Sequence, residues 1–186
     1  MKKTEHRLAE KLKEMMGKQP LDTITVQSLS SACGINRKTF YYHFHDIYDL
    51  LTLVFLDEKI LKIKDALTSK DILKSIFEYY TDNQAFLDAT ISSAGRDLFE
   101  EFIYNTCYHG FLRIIANYPD SKKISLNDRK SIARFYASGY SNSIIFYFAN
   151  AKNKTLEGLR QSTSFLGEKF LYSAIKKTIE VREKGK

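Results

Sequence analysis

Between Ile24 and Phe55 two short helix-forming runs meet at one glycine, and few folds accommodate that. Thr25 can cap the first run, its hydroxyl accepting from a free backbone N–H. Val26, Leu29 and Ala32/Cys33 recur at helical spacing and predict its buried side. Gly34 is the turn. Asn36 caps the second run, with Phe40 and Phe44 as its anchors. That leaves Arg37, Lys38, Thr39, Tyr41, Tyr42 and His43 exposed. Two helices crossing at a glycine turn, the second polar and cationic, match a helix-turn-helix DNA reader.

The rest of the chain also reads as helix. It holds only two prolines and eight glycines in 186 residues, which argues against a loop-rich β architecture. Residues 3 to about 18 place Leu8, Leu12, Met15 and Met16 on one side, ended by Gly17 and Pro20. Asp46 caps a fourth helix through about Lys64, with Ile47, Leu50, Leu51, Val54 and Phe55 apolar. Further helices are expected from Asp71 to Thr81, from Asp82 or Asn83 to Ile91, from Asp97 to Asn117, from Ser125 or Asn127 to Ala151, and from Thr155 to about Arg182. The fold class is all-α with about nine helices. A reader over residues 1–45 is followed by a larger helical part over 46–186, the helix of about 46–64 joining them without a flexible hinge.

The last two helices suggest self-association. Small residues recur through Ala137-Ser-Gly-Tyr-Ser-Asn-Ser143, among Phe135, Ile144, Phe146 and Phe148. Leu156, Leu159, Thr163, Leu166, Phe170 and Ala174 form a stripe wider than one neighbour needs. A four-helix dimer interface would use Phe135, Gly139, Ser143, Phe146, Leu159, Thr163, Leu166 and Phe170.

Composition narrows the function. A net charge of +7 suits an anionic partner, and residues 1–45 hold eight Lys or Arg against four Asp or Glu. Cys33 and Cys107 lie far apart, so a disulfide is not expected and a cytoplasmic setting fits. No apolar run approaches the roughly 20 residues of a membrane span, and the N-terminus lacks the apolar core of a signal peptide. No membrane partner and no cofactor are expected. Cys107 and His109 stand at i, i+2, where side chains diverge by about 200°. They therefore suit neither a shared metal ion nor a nucleophile–base pair. No Gly-rich phosphate loop, paired-carboxylate motif or Ser-x-x-Lys is present, so no catalytic residue is assigned and the chain is not expected to be an enzyme.

The run Ile24-Thr-Val, Leu29, Ala32-Cys33-Gly34-Ile35, Thr39-Phe40-Tyr41-Tyr42-His43-Phe44 and Leu50-Leu51 resembles the N-terminal signature of the TetR family of bacterial transcription regulators. Phe135-Tyr-Ala-Ser-Gly-Tyr and Ile144-Ile-Phe-Tyr-Phe148 resemble the C-terminal region of a subgroup that includes the activator of dihydroxyacetone kinase operons. The resemblance implies a three-helix reader, a connecting fourth helix and a helical ligand and dimer domain. It also implies a repressor that binds a palindromic operator as a dimer and is released by an effector. The alternative is an activator controlled by a partner protein through the C-terminal domain.

By resemblance Arg37, Lys38 and Tyr41 face bases, joined by Gln27. Thr25, Thr39, Tyr42 and His43 hold phosphates, with Asn36 at the helix start. Taken alone, Arg37 and Lys38 read more readily as solvated surface charges and the tyrosines as core aromatics; the surrounding pattern reverses that reading. One departure stands out. Most members carry a phosphate-binding lysine where this chain has Ile47, so that contact is lost or supplied by His45 or Tyr48. Phe148 stands where many relatives have a tryptophan. An effector pocket is implied among the later helices, with Tyr80, Asn83, Asn105, Cys107, Tyr108, His109 and Tyr136 as polar candidates. Tyr104, Phe111, Phe146 and Phe148 are expected as wall or core. The effector is an unknown small molecule or a co-regulator protein.

Overall fold

A computed structural model describes residues 3–184. Among them are ten α-helices and no strand: α1 Lys3–Met16, α2 Val26–Ala32, α3 Arg37–His43, α4 Ile47–Asp57, α5 Ser69–Asp82, α6 Gln84–Ile91, α7 Arg96–Asn117, α8 Leu126–Asn150, α9 Leu156–Ser162 and α10 Glu168–Lys184. Short 3-10 turns span Leu21–Thr23, Leu61–Asp65, Ser121–Lys123 and Ser164–Leu166. The chain forms two compact units, one of residues 1–59 with 80–102, the other of 60–79 with 103–186.

In the first unit α1 buries Leu8, Ala9, Leu12 and Met16 at helical spacing. Leu50, Leu51, Val54 and Phe55 of α4 are buried as well. Phe55 centres an aromatic group, with ring centroids 5.7 Å from Phe86, 5.9 Å from Phe99 and 5.6 Å from Phe102. Each fully buried side chain of this size contributes about 1.5–3 kcal/mol. Gly95 lets Leu51 come close, since a Cβ there would lie 2.6 Å from Leu51 Cδ2.

The second unit is built on α8, which buries Tyr136, Tyr140, Ile144, Ile145 and Phe148. Phe111 of α7 meets Tyr136 and Tyr140, at 5.6 and 4.9 Å between centroids. Arg182 donates two hydrogen bonds to Asp128, tying the end of α10 to the start of α8. That link and the Ser125 hydroxyl hold the Asp128 carboxyl below the usual carboxylate range.

Three sequence expectations change. Ala32 is exposed, and Ser30 joins Leu29 and Cys33 on the buried side of α2. The fourth helix ends at Asp57, not near Lys64, and Glu58 is extended. Continued helix would carry Glu58 onto the face of Ile47, Leu50, Leu51 and Val54. Instead its carboxylate pairs with Lys13 of α1. The final helix is broken into α9, a 3-10 turn and α10. The break falls at Ser162-Thr163-Ser164, whose hydroxyls donate to the carbonyls of Leu159, Arg160 and Gln161 and compete with helical bonding.

Candidate nucleic-acid interface

The reader is set by its caps. Thr25 Oγ1 accepts from Ser28 N at 3.0 Å, and Ser28 Oγ accepts from Thr25 N at 3.0 Å, a reciprocal box that fixes the start of α2. Gly34 turns the chain at φ +64°. Asn36 Oδ1 accepts from Thr39 N at 2.8 Å and from Thr39 Oγ1 at 3.1 Å, which starts α3. Phe40 has no exposed surface and Phe44 little, so α3 is pinned by one side only.

The other side of α3 faces solvent. Arg37 and Lys38 are exposed, Tyr41 is 51% exposed and Tyr42 81%. Both tyrosines are therefore outside the core. The Arg37 guanidinium lies 5.9 Å from the centre of the Tyr41 ring, so the two form one donor-rich edge. Gln27 is also exposed and donates to Ser31 Oγ at 3.1 Å. Thr25 is exposed, whereas Thr39 is half-buried and engaged with Asn36.

His43 differs from the rest. Its side chain is 11% exposed and its Nδ1 lies 3.2 Å from Glu5 of α1. The ring braces α3 against α1 and is not presented outward as Tyr42 is. Ile47 is buried, so no cation replaces the lysine common at that position. Tyr48 donates to Asp22 at 3.0 Å, and burial followed by that carboxylate raises its pKa. His45 is exposed, and its backbone N–H donates to Asp49.

Acid placement separates α2 and α3 from most other helices. Their first turns hold no Asp or Glu. The first turns of α1, α4, α5, α7, α8, α9 and α10 each hold one. Carboxylates at that place complement the helix dipole.

The effector candidates do not converge. Tyr80 is buried and donates to Asp88, and burial followed by that bond raises its pKa. Cys107 and Tyr136 are buried, and burial pushes the Cys107 thiol up, away from thiolate chemistry. Asn105 and His109 are exposed, while Asn83 and Tyr108 are half-buried, Tyr108 stacking on Tyr104 at 6.2 Å. A cleft of about 600 Å³ opens elsewhere in the second unit. It is lined by Ser69, Lys70 and Leu73 of α5, by Tyr140 of α8 and by residues between Glu157 and Glu168. None of the seven candidates lines it. Its lysine and arginine are isolated in the sequence, with no motif to mark them.

Of the residues expected between two copies, Phe135 and Phe146 are each 68% exposed, and Phe170 is exposed beside them in kind. Leu159 and Thr163 are buried within the protomer and have no surface to offer a partner. Gly139 also has an intramolecular explanation, since a Cβ there would lie 2.9 Å from Leu166 Cδ1 of the same chain. Ser143 and Leu166 are half-buried.

A family model described as a transcriptional regulator C-terminal region matches residues 68–166. The chain belongs to the TetR family of transcriptional regulators. Solved structures of this family share the fold at low identity. The dihydroxyacetone kinase operon activator DhaS has a TM-score of 0.63 at 20% identity, with 89% of this chain and 95% of that one covered. A tetR-family regulator from Streptomyces coelicolor has a TM-score of 0.55 at 10% identity, covering 97% and 90%. The TetR family repressor AlkX from Dietzia sp. strain DQ12-45-1b, implicated in biodegradation of n-alkanes, has 0.53 at 13%, covering 94% and 96%. A search of curated proteins found no match. Among the described residues no helix is long and apolar enough to cross a membrane.

Proposed function

We propose that this TetR-family regulator binds a palindromic operator as a homodimer, places α3 of each copy in a major groove, and represses transcription until an effector releases it. The observation that carries the reading is the solvent face of α3. Arg37, Lys38 and Tyr41 form a donor edge there, while Phe40 on the opposite side is fully buried. Arg37 and Lys38 suit guanine O6 and N7, and Gln27 suits adenine. Tyr42, Thr25 and the acid-free first turns of α2 and α3 suit phosphates. The amide of Asn36 and the hydroxyl of Thr39 hold the helix start, and His43 positions α3 through Glu5.

Dimerisation is supported by Phe135 and Phe146, exposed on α8, and by the exposed Phe170 of α10. Two copies set the spacing of two half-sites. The effector acts on the C-terminal half and shifts the population between two reader separations.

Fluorescence polarisation with the chain's own upstream DNA tests the reading. Affinity falls steeply with added salt, as phosphate neutralisation requires. Arg37→Ala weakens specific binding by about 1–3 kcal/mol, the worth of one base-reading pair, while its melting temperature stays close to the parent's because the side chain is exposed. Equal operator affinity of variant and parent refutes it. Activation under control of a partner protein is the second reading. It is favoured by the name of DhaS, an operon activator. A promoter–reporter assay with and without the chain separates the two by sign.

A further inference from the structure

Inside its helices this chain folds hydroxyls back on the backbone. Those of Thr52, Thr90, Ser143 and Thr178 each donate to the carbonyl one turn earlier. The Ser31 hydroxyl, exposed on α2, instead accepts from Nε2 of Gln27, one turn earlier, at 3.1 Å. That bond uses one amide hydrogen. The other amide hydrogen and Oε1 have no partner among the described residues. Side by side they form the acceptor–donor edge that adenine N6 and N7 require.

The same arrangement recurs on α3. Arg37 Nη2 lies 3.4 Å from the Tyr41 hydroxyl, and the guanidinium 5.9 Å from the centre of the ring. The Tyr41 ring in turn meets Phe40 edge to face, with centroids 5.7 Å apart at an interplanar angle of 87°. Phe40 has no exposed surface. A buried ring therefore steadies the tyrosine, and the tyrosine steadies the arginine. The Nε and Nη1 hydrogens of Arg37 are left to meet guanine O6 and N7.

We propose that Ser31 and Tyr41 are positioning residues of the reader. Each stands one turn after a base-facing side chain, Gln27 or Arg37, and presets it for its base. A free glutamine or arginine samples many rotamers, and ordering it on binding costs affinity. Side chains ordered before DNA arrives avoid that cost. Tyr41 then acts through the arginine and not as an independent reader. The role at DNA rests on the regulatory reading above; the two side-chain pairs do not.

Polarisation with the chain's own upstream DNA, and with copies in which each base pair of the half-site is exchanged in turn, measures discrimination at every position. Ser31→Ala lowers it by about two- to tenfold at the position where Gln27→Ala abolishes it, the worth of one side chain ordered in advance. The melting temperature of Ser31→Ala holds or rises, because alanine is the better helix former at an exposed site. Ser31→Thr, which keeps a hydroxyl, restores the parent's discrimination. Tyr41→Ala has the corresponding effect at the position read by Arg37, and Tyr41→Phe, which keeps the ring, loses less. In a Gln27→Ala background Ser31→Ala adds nothing, and in an Arg37→Ala background Tyr41→Ala adds nothing. Additive losses in either cycle, or unchanged discrimination in either Ser31→Ala or Tyr41→Ala, overturn the proposal. Nitrogen-15 relaxation of the Gln27 amide and the Arg37 Nε–H in the free chain scores the pairing apart from DNA. Each gains motion when its neighbour becomes alanine, and no gain overturns the proposal whatever the DNA result. A parent without sequence preference refutes the regulatory reading, and relaxation alone then decides the pairing.

Discussion

Gly34 carries a positive φ of +64°, and nothing lies within 4 Å of where its Cβ would be. The demand for glycine is therefore one of backbone alone. Gly34→Ala is expected to cost about 1–2 kcal/mol, the penalty of a left-handed turn for a residue with a Cβ. In calorimetry a chain of this size should melt about 2–4 °C lower per kcal/mol. This position was legible in the sequence, because a lone glycine between two apolar-periodic runs has few other uses. Gly139 was not. A small residue announces a close approach but not its source, and here Leu166 of the same chain fills the space. His43 was equally opaque. Its outward place on α3 suits a phosphate, yet Glu5, remote in sequence, draws it inward.

Helix starts were readable, as were the ends of α6, α7 and α8, but not an end set by a partner remote in sequence, for a physical reason. A cap is a contact across three residues, so Thr25, Asn36, Asp46, Ser125 and Thr155 all act where their side chains predict. Thr68 and Asp71 form one more such pair, which starts α5 two residues ahead of the expected Asp71. The end of α4 depends on Lys13 of another helix, which no local pattern contains. The link from α8 to α9 shows the same dependence. The Tyr147 hydroxyl accepts from Thr155 N at 2.8 Å and sits close to Thr155 O and Asn153 O. A Cβ on Gly158 would collide with that hydroxyl. Alanine normally improves a helix interior by about 1 kcal/mol over glycine. Gly158→Ala is nonetheless expected to lower the urea midpoint, since Tyr147 must give up its place. A midpoint above the parent's would refute this account of the link.

At the scale of the molecule, the uncovered phenylalanines are the feature a solution measurement can address. A chain that keeps Phe135, Phe146 and Phe170 exposed presents apolar surface that association removes from water. Light scattering on the parent should give twice the 21.6 kDa chain mass. Phe146→Glu should bring it toward a single copy, with helix content by circular dichroism unchanged because the side chain contacts little within the protomer. A parent of single-chain mass at micromolar concentration would remove the dimer. The cap of α2 sets a second experiment at this scale. Boxes of this kind usually place Glu or Gln where this chain has Ser28. Glutamate there would suit the helix well and could firm up folding, but it would station a negative charge where the proposed nucleic acid must settle. Ser28→Glu should therefore hold or raise the melting temperature while operator affinity drops. Sturdiness and grip would then pull in opposite directions at a single hydroxyl, and a modest cap would be the compromise that leaves the doorway to the duplex unguarded.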